Sequence, residues 1–204
     1  MADQALEEGD FAAVDLETTG LRPSSDEIVA IAIIPMRGYR ILLGSAFHTL
    51  VKPGRLDEKS IKFHGICPKD LEGAPSFEEV SGKVRTMLEG KTMIGYATDF
   101  DRAFLRERYK RLGRHASPMP SLDRSIDIAR VEAWLLRREG IPVPRRISFE
   151  ELLERYRLNP ASRHDALNDA YLAASIFQRQ LKKSSELGTT ISELKNLRDP
   201  DLQT

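Results

Sequence analysis

Asp15 and Glu17 stand in D-x-E spacing within Phe11 to Gly20, FAAVDLETTG. Phe11-Ala12-Ala13-Val14 read as the end of a buried strand. In extended chain, side chains at i and i+2 share a face, so both carboxylates converge on one spot. Thr18-Thr19-Gly20 then close the strand with hydroxyls and a permissive backbone. Two acids held together repel each other. A divalent cation removes that cost, and hard Mg²⁺ or Mn²⁺ suits carboxylate oxygens. Chance also produces this spacing about once in a chain so rich in acids, so the metal reading needs partners elsewhere.

Two further stretches supply candidates. Asp101, in DFDRAFL, opens a helix directly after a strand, where α/β sheets build their sites; an acid in a first helical turn is equally favoured by the helix dipole alone. In SRHDALNDA, Ser162 and Asp165 read as an S-x-x-D cap that puts His164 in the first turn of a helix. Asp169 follows more than a turn later, beside the small residues Ala166, Ala170 and Ala173. A helix N-terminus disfavours added positive charge, and a neutral imidazole is what a general base requires. His164 also reads as a capping or solvated residue.

The elements that must position these groups follow from hydrophobic pattern and turn chemistry. Ile28 to Ile34 and Ile41 to Val51 are β-rich runs with Gly38 between them, so the first three strands form an antiparallel meander. Residues 52–76 are loop-like, with a short helix near Glu58 to Phe63. Ser76 with Glu79 marks a capped helix to about Leu88. Met93 to Tyr96 is a short strand, Asp99 to Leu112 a helix closed by Gly113, and a loop with Pro118 and Pro120 leads to a brief element at Ser125 to Ile128. Helices follow to Arg138, over Ser148 to Tyr156 and from Arg163 to Lys183. Strands first, then βα alternation, predicts an α/β or mixed sheet with flanking helices.

The 204 residues suit one domain with a sizeable core. Residues 1–10 are expected to be a flexible lead-in, 11–183 the domain, and 184–204 a polar helix or tail. Lys plus Arg (31) equals Asp plus Glu (31), so there is no global positive field for wrapping a long polyanion. The basic run Arg102, Arg106, Arg108, Lys110, Arg111 and Arg114 reads first as a solvated helix face. No apolar run reaches transmembrane length, the acidic start is unlike a signal peptide, and the lone Cys67 fits a reducing cytoplasm.

Taken together and in order, VDLETTG, FDRAFL and HDALNDA resemble the three motifs of the DEDDh-type 3′–5′ exonuclease family, which includes the proofreading subunit of bacterial replicative polymerase. The resemblance spans roughly residues 11–181. It implies a ribonuclease H-like fold: a five-stranded mixed sheet, with a three-stranded antiparallel meander plus two parallel strands, flanked by helices. It implies Asp15, Glu17, Asp101 and Asp169 as the carboxylates for two Mg²⁺ (or Mn²⁺), with Asp15 shared, and His164 as the general base. His64-Gly65-Ile66 is similar to the family's HGI loop, and Thr18, Leu21 and Phe100 match positions that touch the terminal nucleotide. Tyr96-Ala97 replaces the family's usual His-Asn, and Cys67 its usual Thr after HGI. The expected activity is removal of nucleoside 5′-monophosphates from DNA 3′ ends, single-stranded above all, by two-metal hydrolysis. RNA trimming by the same chemistry is the alternative, and a non-catalytic nucleic-acid-binding or partner-binding domain is the alternative of another class. A polymerase partner is compatible with the resemblance, but no motif in the tail points to one.

Overall fold

The computed structural model describes residues 5–56, 58–113, 122–123, 125–159 and 164–198. Arg114, Pro118, Pro120, Ser162 and Arg163, which enter the sequence reading above, lie outside the described residues, as do the ends of the chain.

Strand β1 (Asp10–Thr18) is the centre of a mixed sheet. It pairs antiparallel with β2 (Ile28–Arg37) along its whole length and parallel with β5 (Thr92–Gly95) over Phe11 to Ala13; β5 pairs parallel with β6 (Ile126–Asp127). On the far side, β2 carries both β3 (Arg40–Ile41) and β4 (Phe47–Leu50). The third strand of the meander is therefore split, and the sheet has five positions but six strands. Pro35 explains the split. The Leu42 N–H donates to the Pro35 carbonyl at 2.9 Å, so this edge of Pro35 faces the third strand with no N–H to return. The ladder stops at Ile41, and the chain detours through a 3₁₀ turn at Leu43–Ser45 before pairing resumes. Gly38 makes the β2–β3 hairpin at φ 51°, where an added Cβ would lie 2.1 Å from the Glu7 carbonyl oxygen.

The alternation of β1 sorts the two faces. Phe11 and Ala13 point into a cluster with α4 (Ile128–Arg138), α5 (Phe149–Arg155) and α6 (Ala166–Glu186); Ala12, Val14 and Leu16 point into another with α2 (Phe77–Leu88) and α3 (Thr98–Arg111). Ala166, Ala170, Ala173 and Ala174 are buried where α6 crosses β1 and β2, and Phe177 meets Phe11 edge-on at 5.0 Å. That ring pair adds about 0.5–1.5 kcal/mol beyond area burial. Ser76 with Glu79 and Ser148 with Glu151 form reciprocal capping boxes at the starts of α2 and α5. The expected lead-in holds a 3₁₀ turn, Leu6–Glu8, with Leu6 buried in the core. After α6, which extends three residues past Lys183, the short α7 (Ile191–Lys195) buries Ile191 and Leu194. No helix among the described residues is long and apolar enough to cross a membrane.

Candidate active site

Asp15 and Glu17 continue the Phe11/Ala13 face of β1 past the end of β5, so their carboxylates point toward α6. There they meet Asp169, in the first turn of α6. Asp15, Glu17 and Asp169 each offer an oxygen within 4.8 Å of the others'. Asp169 is only 7% exposed, and Asp15 and Glu17 are half-buried. Three hard oxygen donors gathered this closely, without a cation among them, repel one another; the donor set fits Mg²⁺ or Mn²⁺.

Asp101 arrives from the opposite layer. It lies in the first turn of α3, just beyond β5, and is 4% exposed. It is not part of the close trio. Burial pushes its carboxyl well above the ordinary aspartate range, against the amides of Leu16 and of Asp101 itself, and the negative charges of Asp127 and Glu17 add to the rise. Leu16 lies between the two acids of β1, so Asp101 sits near the same strand end.

His164 is not in the first turn of α6, as the S-x-x-D reading expected. The helix begins at Ala166, and the cap is Asp165, whose side chain accepts from the Asn168 N–H at 2.8 Å. His164 precedes the cap, exposed, with a left-handed backbone at φ 60°. Such a conformation costs a non-glycine residue about 1–3 kcal/mol and gathers at functional sites. Here it turns the His164 backbone N–H onto Asp169 Oδ2 at 3.2 Å. The base candidate is thus tied to the acid candidate through main chain, leaving the imidazole outside that bond.

His64 ends α1 (Glu58–His64) and is 9% exposed. Its Nδ1 accepts the Ile66 N–H at 3.0 Å, so the neutral ring carries its proton on Nε2. Burial lowers its pKa, and the charge of His164 adds to the fall. Leu21 is 82% exposed on the loop after β1, and Thr18 is half-buried, with its hydroxyl donating to the Gly20 carbonyl at 2.7 Å. Phe100 is half-buried against Phe104, with ring centroids 4.8 Å apart.

Asp127 belongs to none of the three sequence motifs. This buried acid caps α4 through the Ala129 N–H at 2.9 Å and accepts the Thr98 N–H at 3.1 Å, holding the starts of α3 and α4 together beside Asp101. An aspartate immediately before the helical run IARVEAWLL was the available signal.

Acids brought to the end of a central strand from both layers of a ribonuclease H-like sheet define a phosphodiester-cleaving nuclease domain. The chain belongs to the exonuclease family, whose model matches residues 12–177. It is 31% identical over 199 residues to the DNA polymerase III PolC-type of Thermotoga petrophila, covering 97% of this chain and 14% of that protein. With the DNA polymerase III subunit epsilon of Aquifex aeolicus it shares 28% identity over 184 residues, 90% of this chain and 85% of that one. In fold it is similar to the nuclease domain of 3′hExo, a DEDDh family member solved bound to rAMP, with a TM-score of 0.71 at 18% identity over 88% of this chain and 94% of that one.

Proposed function

We propose that this chain removes nucleoside 5′-monophosphates one at a time from the 3′ end of single-stranded DNA. The observation that carries the reading is the convergence of Asp15, Glu17 and Asp169 at the end of β1, with His164 bonded to Asp169. DNA is favoured over RNA because relatives that it matches over most of its length are DNA polymerase III proteins. The cytoplasm is the proposed location, in keeping with the free Cys67.

In this reading Asp15, Glu17 and Asp169 would hold one divalent ion, and Asp101 would help to hold a second. Bound there, Mg²⁺ or Mn²⁺ makes water a stronger acid and neutralises charge on the phosphate. The neutral His164 imidazole takes the proton of the attacking water. A P–O bond to that water forms, the P–O3′ bond breaks, and the 3′ oxygen left on the shortened strand is protonated by solvent. Leu21 and Phe100 flank the terminal base, and any base suits them because every base has a π-face. Thr18 Oγ1, whose proton goes to the Gly20 carbonyl, accepts from the terminal sugar hydroxyl, and His64 contacts the terminal nucleotide.

The test is a degradation ladder with matched 5′-labelled DNA and RNA oligonucleotides in Mg²⁺, in Mn²⁺ and in excess chelator. Mononucleotide release from the 3′ end of DNA, blocked by a 3′-phosphate and by chelator, is the expected result. Cleavage of circular single strands would refute an exonuclease, and faster loss of RNA than DNA would reassign the substrate.

A further inference from the structure

We infer that the part-buried ion pair between Glu27 and Arg108 is a positioning device that sets the substrate cleft, joining three chain segments that carry different walls of it. The inference rests on the exonuclease reading above. Arg108 lies on α3 seven residues, two helical turns, after Asp101, so it emerges on the same face of that helix. It is 9% exposed. One guanidinium nitrogen donates to Glu27 Oε2 at 3.2 Å and the other to the Asp26 carbonyl at 2.9 Å. The second oxygen of Glu27, Oε1, accepts the Gly54 N–H at 3.1 Å.

Glu27 therefore grips in two directions. Residues 19–27 form the loop after the D-x-E strand, with Leu21 at the tip. The Glu27 carbonyl accepts the Thr19 N–H at 2.8 Å, and Thr19 Oγ1 accepts the Glu27 N–H at 2.9 Å, so the neck of the loop ends at Glu27. Inside it, Asp26 accepts the Arg22 N–H at 2.7 Å, and Arg111 donates to the Ser24 carbonyl. Gly54 belongs to the segment that leads into α1 and so to His64. The hub thus links the Leu21 loop, the approach to His64, and the helix of Phe100 and Asp101. The seat of α3 does not depend on it, because Phe104, Leu105 and Tyr109 are buried against the sheet. Losing the hub frees the loops and leaves the acids in place.

A planar guanidinium meets two acceptors at once, which a lysine ammonium does with less definition. Charge in this part-buried place is favoured while paired, so Arg108→Met alone leaves Glu27 without its cation. The neutral double variant Glu27→Gln/Arg108→Met removes that difficulty and serves as the folding control.

The experiment measures KM and kcat on a 5′-labelled oligo-dT, together with Mn²⁺ affinity without DNA, for the wild type, Glu27→Gln, Arg108→Met, Arg108→Lys and the double variant. The expected result is KM raised about tenfold in Arg108→Met and no further in the double variant, within the usual range for coupled neighbours, with kcat and Mn²⁺ affinity nearly unchanged. Arg108→Lys falls between. Wild-type KM in the double variant, additive effects of the two single changes, or loss of kcat or Mn²⁺ binding with KM unchanged would each overturn the inference. If Arg108→Met does not fold, Arg108→Lys and the double variant carry the comparison. If the wild type releases no mononucleotide from DNA or RNA, the exonuclease reading itself fails. Amide exchange then decides the hub: faster exchange at Gly54 and Thr19 in the double variant supports it, and unchanged exchange refutes it.

Discussion

His164 and Asp169 are joined by a backbone amide, so removing the imidazole leaves the acid trio as it stands. His164→Asn, which keeps a residue tolerant of the left-handed backbone, is expected to lower turnover by about 10² to 10⁴, the span of a lost general base, with Mn²⁺ affinity little changed. Asp169→Ala should lose Mn²⁺ affinity and turnover together; equal metal loss in both variants, by calorimetry, would remove His164 from the base role. The buried acids make a second expectation, about stability. Burial raises the carboxyl pKa of both Asp101 and Asp127, so the folded state binds their protons more tightly than the unfolded chain does. The stability this contributes is fully present below the ordinary aspartate value and is lost as pH rises through the raised values. In chelator, the melting temperature should therefore fall as pH rises from mildly acidic toward neutral, with Asp101→Asn flattening the fall and Mg²⁺ restoring what was lost. A melting temperature that rises over that range in chelator would show that these carboxyls are not protonated preferentially in the fold. Asp15, Glu17 and Asp169, whose oxygens converge, were legible as candidates in the sequence, because period-2 alternation and helix-start signals fix where such side chains go. The left-handed turn at His164 and the double cap at Asp127 were not, since both depend on contacts between distant segments.

At the scale of elements, the sheet was readable because each strand carries its own pattern, while the break in the third strand was not. Pro35 shows its missing donor only once its edge is known to face Leu42. A second local conflict sits before α3, where Ala97 is the N-cap with φ 51°. An L-residue there costs about 1–2 kcal/mol unless it is Gly or a short polar side chain such as Asn. Ala97 is exposed, so Ala97→Asn should raise stability by about 1 kcal/mol, read as a higher denaturant midpoint at constant slope. No gain, or a loss, would mean that the turn relaxes in solution. Helix caps separate structure from function in the same way. Ser148→Ala removes the α5 cap, and Asp165→Ala the α6 cap, each at about 1 kcal/mol. Only the second should also lower turnover, because α6 begins between His164 and Asp169. Equal turnover in the two variants would show that the start of α6 does not set the geometry of the site.

Over the whole molecule, charge is balanced, and the structure shows where the basic helix spends its charge. Arg102 pairs with Asp99 at 2.8 Å, Arg106 with Asp123 at 3.2 Å, Arg108 with Glu27, and Lys110 and Arg111 with Glu107. The exposed pairs among these add little to stability, yet together with Arg108–Glu27 they cancel the field that a row of arginines would otherwise project. Under the proposed function, the contact with nucleic acid among the described residues is local: the cleft around the acid trio, the Leu21 loop and the end of α1. A protein that grips only the last few nucleotides displaces few counterions from the strand. The log–log salt slope for oligo-dT binding is expected to be about −2 to −3, from roughly 0.7 per phosphate contacted on a single strand. Weak, short-range grip also means that the enzyme should let go between cleavages, so trap DNA added after the start of a reaction should stop degradation of a long strand within a few nucleotides. Binding titrations from low to moderate salt, with catalysis blocked by chelator, measure the slope directly. A slope steeper than about −5, with degradation that continues past the trap, would require a contiguous track of roughly seven or more phosphate contacts, and the paired helix α3 could not then be a neutral surface.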